Sequence, residues 1–191
     1  MKKRSIMTFL TLMSLITPLA LPCTIFNASK KGKVLVGNTE DLAATDSRVW
    51  FFPPEKGKYG VVFVGFDRYG IQGAMNDQGL FLDFNALKYA KMNAHSEKLA
   101  FEKGTNPVMS IMEECKTVEE VIALLSKHNL AGWDNCQAQF VDRTGASAVL
   151  GPDKNGELFI ARKKGDFQVS EGKNTCGAVQ TRAKNKGFQR V

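Results

Sequence analysis

The sequence predicts an α+β fold in which helices pack on antiparallel sheet. Short β-branched and aromatic runs separated by turn residues fill residues 24–85, two helical patterns follow, and strand patterns return between residues 138 and 162. Grouping of strands and helices along a chain is typical of the α+β class. The length of 191 residues and the 43% hydrophobic content suit a single domain with a real core.

The first strands are predicted from apolar runs bounded by turn residues. Residues 24–26 and 34–36 flank the turn Lys30-Lys31-Gly32, and we expect them to form a hairpin that begins at Cys23. Further strands are expected at residues 48–52, 60–66, 69–74 and 81–85. The polar stretch from Leu87 to Gly104 is interpreted as a surface excursion.

Two consecutive helices are predicted in the middle of the chain. Asn106 is expected to cap the first helix, with Pro107 at its first position, and Thr117 with Glu120 forms the capping box of the second. Apolar residues recur three and four positions apart and supply the buried stripes. They are Val108, Ile111, Met112 and Cys115 in the first helix and Val121, Ile122, Leu124 and Leu125 in the second.

The chain is predicted to close with an antiparallel meander and a tail. Strands are expected at residues 138–142, 146–150 and 157–162, with turns at 143–145 and 152–156. Residues 171–191 are basic and lack apolar periodicity, so we predict that this segment is poorly ordered. The predicted domain therefore covers residues 23–170.

Residues 1–22 have the pattern of an export signal, which predicts a secreted or periplasmic protein. A basic start precedes an apolar run at 6–16 and the helix-breaking Thr17-Pro18. The run is too short for a stable membrane span. Three N-termini stay open: a free Cys23, a cut after Ala20 that leaves two residues ahead of Cys23, and a lipid-modified Cys23.

Charge and cysteine content exclude some partners. Of the formal charge of +7, three units lie in residues 1–22 and four in residues 171–191, so the body is balanced and nucleic-acid binding is not expected. The two histidines and four cysteines form no metal-ligating spacing, and we predict no metal and no cofactor. The cysteines could form two disulfides or be buried as small apolar side chains. The sequence does not indicate an oligomeric state.

Cys23 suggests a specific chemistry if processing makes it the first residue. An N-terminal cysteine carries a thiol nucleophile beside its own α-amino group, whose ordinary pKa of about 7.7–8.0 suits a general base. Asp41, at the end of the second predicted strand, could orient that amine through a hydrogen bond. This pattern predicts an N-terminal-nucleophile amide hydrolase.

Several motifs in one order resemble the choloylglycine hydrolase family of linear-amide C–N hydrolases. They are Cys23-Thr-Ile-Phe26, Gly37-Asn-Thr-Glu-Asp41, Ala74-Met-Asn-Asp-Gln-Gly-Leu80, Phe84-Asn85 and Phe140-Val-Asp-Arg-Thr-Gly145. The resemblance implies an αββα sandwich and hydrolysis of an amide in a small N-acyl substrate, such as a conjugated bile salt, penicillin V or an acylated amine. The family pattern can be followed only to Ser170, so the fold is expected to be incomplete, with C-terminal strands missing.

The resemblance also implies roles for three residues, and a fourth, Asn38, departs from the family pattern. Cys23 matches the nucleophile and base, Asp41 the carboxylate near the amine, and Asn85 an asparagine of the oxyanion site. Asn38 stands where many members have an arginine and is a candidate substrate contact. The alternative is an inactive or lipid-anchored fragment of the family.

Overall fold

A computed structural model describes residues 23–41, 46–66 and 70–172, together with the backbone of residues 179–182 and 189–190. The predicted export signal lies outside the described residues. Among the helices that are described, none has the length and apolar character needed to cross a membrane.

A five-stranded antiparallel sheet carries the predicted N-terminal hairpin. Lys31 and Gly32 both have positive φ, as a two-residue turn of type I′ requires. The strand order is β12-β11-β10-β1-β2. The strands are β1 (Thr24–Lys30), β2 (Lys33–Thr39), β10 (Phe167–Glu171), β11 (Val179–Arg182) and β12 (Gln189–Arg190).

A second antiparallel sheet has seven strands that pair in chain order. Every strand predicted between residues 48 and 162 is found in it, with shifts of a few residues at the ends. The strands are β3 (Ser47–Phe52), β4 (Val61–Phe66), β5 (Gly70–Asn76), β6 (Phe81–Ala86), β7 (Cys136–Val141), β8 (Ser147–Pro152) and β9 (Leu158–Arg162).

Both predicted helices are present and begin at the predicted caps. Helix α1 spans Pro107–Glu114, and the Asn106 side chain accepts a hydrogen bond from the backbone of Val108. Helix α2 spans Val118–Lys127, and its capping box joins Thr117 and Glu120 in both directions. Each cap satisfies backbone N–H groups that have no partner inside the helix.

The hydrophobic core lies between the helices and one face of the seven-stranded sheet. Its fully buried side chains come from β4, β6, β7 and β8 and from both helices. They include Phe63, Leu82, Ile111, Met112, Leu125, Phe140 and Leu150. Burial of an aliphatic or aromatic side chain is worth about 1.5–3 kcal/mol, so this layer supplies most of the stability.

The opposite face of the seven-stranded sheet packs on the five-stranded sheet through polar side chains. Asn27 on β1 donates to the Ser147 hydroxyl on β8 at 2.7 Å, and Asn85 on β6 donates to the Ser170 hydroxyl on β10 at 2.9 Å. The described residues thus form three layers, helix–sheet–sheet. Three layers of the predicted αββα sandwich are therefore in place.

Two irregular segments bear on the sequence predictions. Residues 87–106 contain no helix or strand, but Leu87 and Met92 are buried, so part of this excursion belongs to the core. Strands β11 and β12 fall inside the segment that was predicted to be poorly ordered. Residues 173–178, 183–188 and 191 of that segment lie outside the described residues, so the boundary at residue 171 stays a prediction.

Candidate active site

The hairpin register places Glu40 beside Cys23. Thr24 pairs with Thr39, so the next residues outward, Cys23 and Glu40, lie opposite one another. The Cys23 thiol donates to Oε2 of Glu40, with 3.3 Å between sulfur and oxygen. Opposite residues of an antiparallel pair hold their side chains close together on one face of the sheet. A carboxyl group is therefore in direct contact with the candidate nucleophile.

The environment of Cys23 keeps its thiol protonated. Burial raises the pKa of the thiol, and the Glu40 carboxylate raises it further by hydrogen bonding and by repelling the thiolate. The Asp41 backbone N–H donates to Sγ at 3.4 Å, which opposes these effects in part. Nucleophilic attack therefore needs a base that removes the thiol proton.

Asp41 and Asn38 lie next to this contact, and their predicted roles stay predictions. Asp41 is exposed and touches the sulfur through its backbone, while its carboxylate is close enough to raise the pKa of Cys23. The Asn38 side chain donates to Oε1 of Glu40 at 2.9 Å. Asn38 thus restrains the carboxylate that faces the thiol, and its contact with substrate stays a prediction.

Glu40 is the site residue that sequence reasoning missed. The signal was available in the hairpin: a two-residue turn at Lys31-Gly32 pairs Lys30 with Lys33 and, counting outward, Cys23 with Glu40.

Asn85 is buried on the face of β6 toward the five-stranded sheet, and only one end of its side-chain amide has a hydrogen-bond partner among the described residues. Its Nδ2 donates to Ser170 Oγ at 2.9 Å, while its Oδ1 is buried without a hydrogen-bond partner among the described residues. A buried amide oxygen without a partner costs about 1–3 kcal/mol, and such groups are concentrated at functional sites.

Asp83, two residues before Asn85, is a second buried acid on the same face of β6. Burial raises its pKa to about 8, and the nearby Glu40 carboxylate contributes by charge repulsion and hydrogen bonding. The space for its carboxyl group exists because the opposite residue is glycine: a Cβ on Gly73 would lie 2.8 Å from Asp83 Oδ2. Asp83 and Glu40 line one cavity of about 330 Å³ between the sheets.

A cleft of about 450 Å³ opens beside Cys23 and also reaches Asn85. One wall is apolar, where Phe84 and Trp133 pack edge to face with 6.2 Å between ring centroids. The lining also includes Gln72, Asn106 and Asn135, which have neutral amide side chains. An apolar wall with a few convergent polar groups is the usual construction of a small-molecule site.

The other described cysteines are free thiols. Cys115 is buried in the core, Cys136 lines the cleft, and burial raises their pKa values to about 12 and about 11. Cys176 lies outside the described residues. No group of three or more metal-ligating side chains occurs within the part of the chain that the structure describes.

Solved structures share this fold. A variant of conjugated bile acid hydrolase from Clostridium perfringens, in which leucine replaces an arginine, matches with a TM-score of 0.55 and 21% identity, over 80% of this chain and 54% of that one. A mutant of the same hydrolase, in which alanine replaces a cysteine, matches with a TM-score of 0.60 and 20% identity over the same shares. Penicillin V acylase from Agrobacterium tumefaciens matches with a TM-score of 0.47 and 13% identity, over 73% and 49%.

The two bile acid hydrolase structures confirm the predicted fold. The predicted resemblance to choloylglycine hydrolase is confirmed as a likeness of fold. No protein-family model matches the sequence, and no curated protein matches it by sequence. The chain spans about half the length of the solved structures it matches, 54% for both bile acid hydrolase forms, so it holds part of that fold.

Proposed function

We propose that this chain is an exported amide hydrolase in which Cys23, freed as the first residue by processing, attacks the carbonyl carbon of a small N-acyl amide. The observation that carries the proposal is that Cys23, Glu40 and Asn85 line one cleft. The C. perfringens neighbours of the same fold are hydrolases of conjugated bile acids, which are N-acyl amides.

The proposed reaction has two steps. The free α-amine of Cys23 takes the thiol proton, the sulfur bonds to the amide carbonyl carbon, and the amine leaving group departs with a proton returned from the α-ammonium. Water then attacks the thioester and releases the carboxylic acid and the free thiol. Because the thiol of Cys23 is protonated at neutral pH, the α-amine is needed as the base that removes its proton.

The cleft favours a substrate with an apolar acyl group. Phe84 and Trp133 line the same cleft as Cys23 and offer aromatic surface, and the amides of Asn106 and Asn135 in the lining can hydrogen-bond the scissile amide or the amine portion. An oxyanion donor such as the Asn85 amide is worth about 10²–10³ in rate in enzymes of this kind.

The test compares two N-termini and two cysteine variants. One preparation begins at Cys23, released by a specific protease, and a second retains Leu21-Pro22; both are assayed against N-acyl p-nitroanilides, penicillin V and a glycine-conjugated bile salt. We expect hydrolysis only from the first, and a loss on the order of 10³-fold or more in Cys23→Ala. Cys136→Ser removes the other cleft thiol and is the matched control, expected to keep its activity.

Retained hydrolysis in Cys23→Ala, or equal activity with Leu21-Pro22 still attached, would overturn the proposal. Intact mass of the exported protein separates the remaining possibilities: a free Cys23, a retained dipeptide, or a diacylglycerol adduct, which would favour the lipid-anchored fragment.

A further inference from the structure

A continuous chain of buried hydrogen bonds runs between the two sheets and ends on Asn85. Its members lie on β1, β6, β7, β8 and β10, and most are fully buried. In order from the far end they are Gln168, Ser147, Gln139, Ser170 and Asn85, with Asn27 joined at Ser147 and Lys163 joined at Asn27.

A backbone carbonyl at one end of this chain determines which group donates and which accepts in each hydrogen bond. The Ala161 carbonyl can only accept, so the group that faces it at 3.0 Å is the Gln168 NH₂. The other half of that amide, Oε1, must then accept, and it receives the Ser147 hydroxyl at 2.6 Å. The single proton of Ser147 is therefore committed to Gln168.

The Lys163 ammonium leads independently to the same assignment of donors and acceptors at Ser147. The Lys163 ammonium can only donate, and it lies 3.0 Å from the Asn27 oxygen, so Nδ2 of Asn27 faces Ser147 and donates to it at 2.7 Å. Ser147 thus accepts from its remaining neighbours. Gln139 contributes its NH₂ to Ser147 at 3.4 Å, which turns its Oε1 toward β10.

The last two hydrogen bonds of the chain extend this donor and acceptor order to Asn85 in the candidate site. Gln139 Oε1 accepts the Ser170 hydroxyl at 2.6 Å, which uses the only proton that Ser170 has. Ser170 must therefore accept from Asn85, whose Nδ2 lies 2.9 Å away. A flipped Asn85 amide would place its oxygen against the Ser170 oxygen, two acceptors with no proton between them. Asn85 is held in one orientation.

We propose that Ser170 and Gln139 are positioning residues that hold the Asn85 amide in a single orientation before substrate binds. Asn85 donates one N–H to Ser170, and because it lines the cleft its second N–H is the one available to a ligand there. The effect of this orientation on catalysis rests on the proposed function, whereas the orientation itself follows from the hydrogen bonds. Donors that are oriented in advance stabilise a developing oxyanion without reorganisation during the reaction.

The first test separates positioning from packing. Ser170→Ala removes the acceptor that orients Asn85, and we expect kcat for amide hydrolysis to fall about tenfold or more, with KM within about twofold. Alkylation of Cys23 by iodoacetamide forms no oxyanion, so its rate is expected to stay unchanged. Ser29→Ala is the matched control, because among the described residues its hydroxyl accepts from Lys163, at the outer end of the same layer, and does not contact Asn85.

A fall in both rates would show that the site as a whole has collapsed, and unchanged kcat would show that Asn85 needs no support; either result overturns the proposal. Activity that persists in Cys23→Ala would reject the proposed function instead. The two failures are thus distinguishable.

The second test needs no substrate. In ¹⁵N-labelled protein the Asn85 side-chain NH₂, assigned from its loss in Asn85→Asp, is expected to give two separate proton signals, one of them protected from exchange by Ser170. The protection should disappear in Ser170→Ala and in Gln139→Leu, and stay in Ser29→Ala. Rapid exchange of both protons in the unmutated protein would contradict a fixed amide.

Discussion

The two faces of the seven-stranded sheet are built from the same strands and differ in almost every chemical respect. The face toward the helices carries Leu82, Ala138, Phe140, Ala148 and Leu150. The face toward the five-stranded sheet carries Asp83, Asn85, Gln137, Gln139 and Ser147. Both sets are buried. The face toward the five-stranded sheet also buries Val141 and Val149, so it combines apolar contacts with hydrogen bonds, whereas the face toward the helices excludes solvent by apolar packing.

This division separates stability from chemistry within a single strand. An apolar contact is favourable wherever it is buried, whereas each buried polar group needs a partner and costs about 1–3 kcal/mol when it lacks one. Two side chains of the polar face, Asp83 and Asn85, each keep one oxygen without a partner among the described residues. The two residues are two positions apart on β6, and Asn85 lines the same cleft as Cys23. The helix face contributes the free energy that offsets this cost.

The largest expected effect comes from the apolar face. Phe140→Ala removes a fully buried ring between β7 and the helices, and we expect the free energy of unfolding to fall by about 3–5 kcal/mol in urea denaturation. Its neighbour Gln139 points to the other face, so Gln139→Leu is the comparison variant and should cost less. An equal or greater loss in Gln139→Leu would mean that the polar layer, rather than the helix layer, holds the fold together.

Asn76 is a buried polar residue on the helix side, and its substitution is expected to have an intermediate effect on the free energy of unfolding. Its Nδ2 donates to the carbonyls of Met112 and Cys115 at 2.9 and 2.7 Å, which closes the C-terminal end of α1 against β5. Asn76→Ala leaves both carbonyls unsatisfied, and we expect a loss of about 2–3 kcal/mol in unfolding free energy. Gln78→Ala, in the same turn but bonded to exposed Asp77, is the control and should change stability by less than about 0.5 kcal/mol.

The apolar face was largely predictable from the sequence, and the polar face was not. Helix stripes, caps and strand runs follow from local periodicity, so residues such as Val108, Thr117 and Phe140 are assigned correctly without tertiary information. Alternating polar residues in a strand ordinarily indicate a solvent face. Gln139 and Ser147 break that rule because a second sheet covers them, and nothing local in the sequence signals the covering sheet.

The candidate site shows the same limit. Cys23 and Asn85 were singled out by motif and indeed line one cleft, whereas Glu40 was missed because its importance depends on which residue the hairpin places opposite Cys23. Asp83 was missed because its burial requires the glycine at position 73 on the next strand. Such pairings become visible only when register is worked out strand by strand.

The smallest effect expected on stability is a gain, and it comes from Asp83. The pKa of this carboxyl group is raised to about 8 in the folded protein, against about 3.9 in an unfolded chain. Below about pH 4 both states hold the proton; between about pH 4 and pH 8 only the folded state does, so ionisation of the unfolded state lowers stability as pH rises. Asp83→Asn removes that loss while preserving size.

We therefore expect Asp83→Asn to be more stable than the unmutated protein at pH 7–8, by on the order of 1–3 kcal/mol, since relaxation and water entry reduce the full cost of a buried charge. The advantage should vanish near pH 4, as urea denaturation across the pH range would show. Asp77→Asn, the same substitution on an exposed turn, is the control for the chemistry of the substitution itself. If Asp83→Asn has the same pH profile as the unmutated protein, the carboxyl group is ionised in the fold, and the polar face would tolerate charge that the apolar face does not.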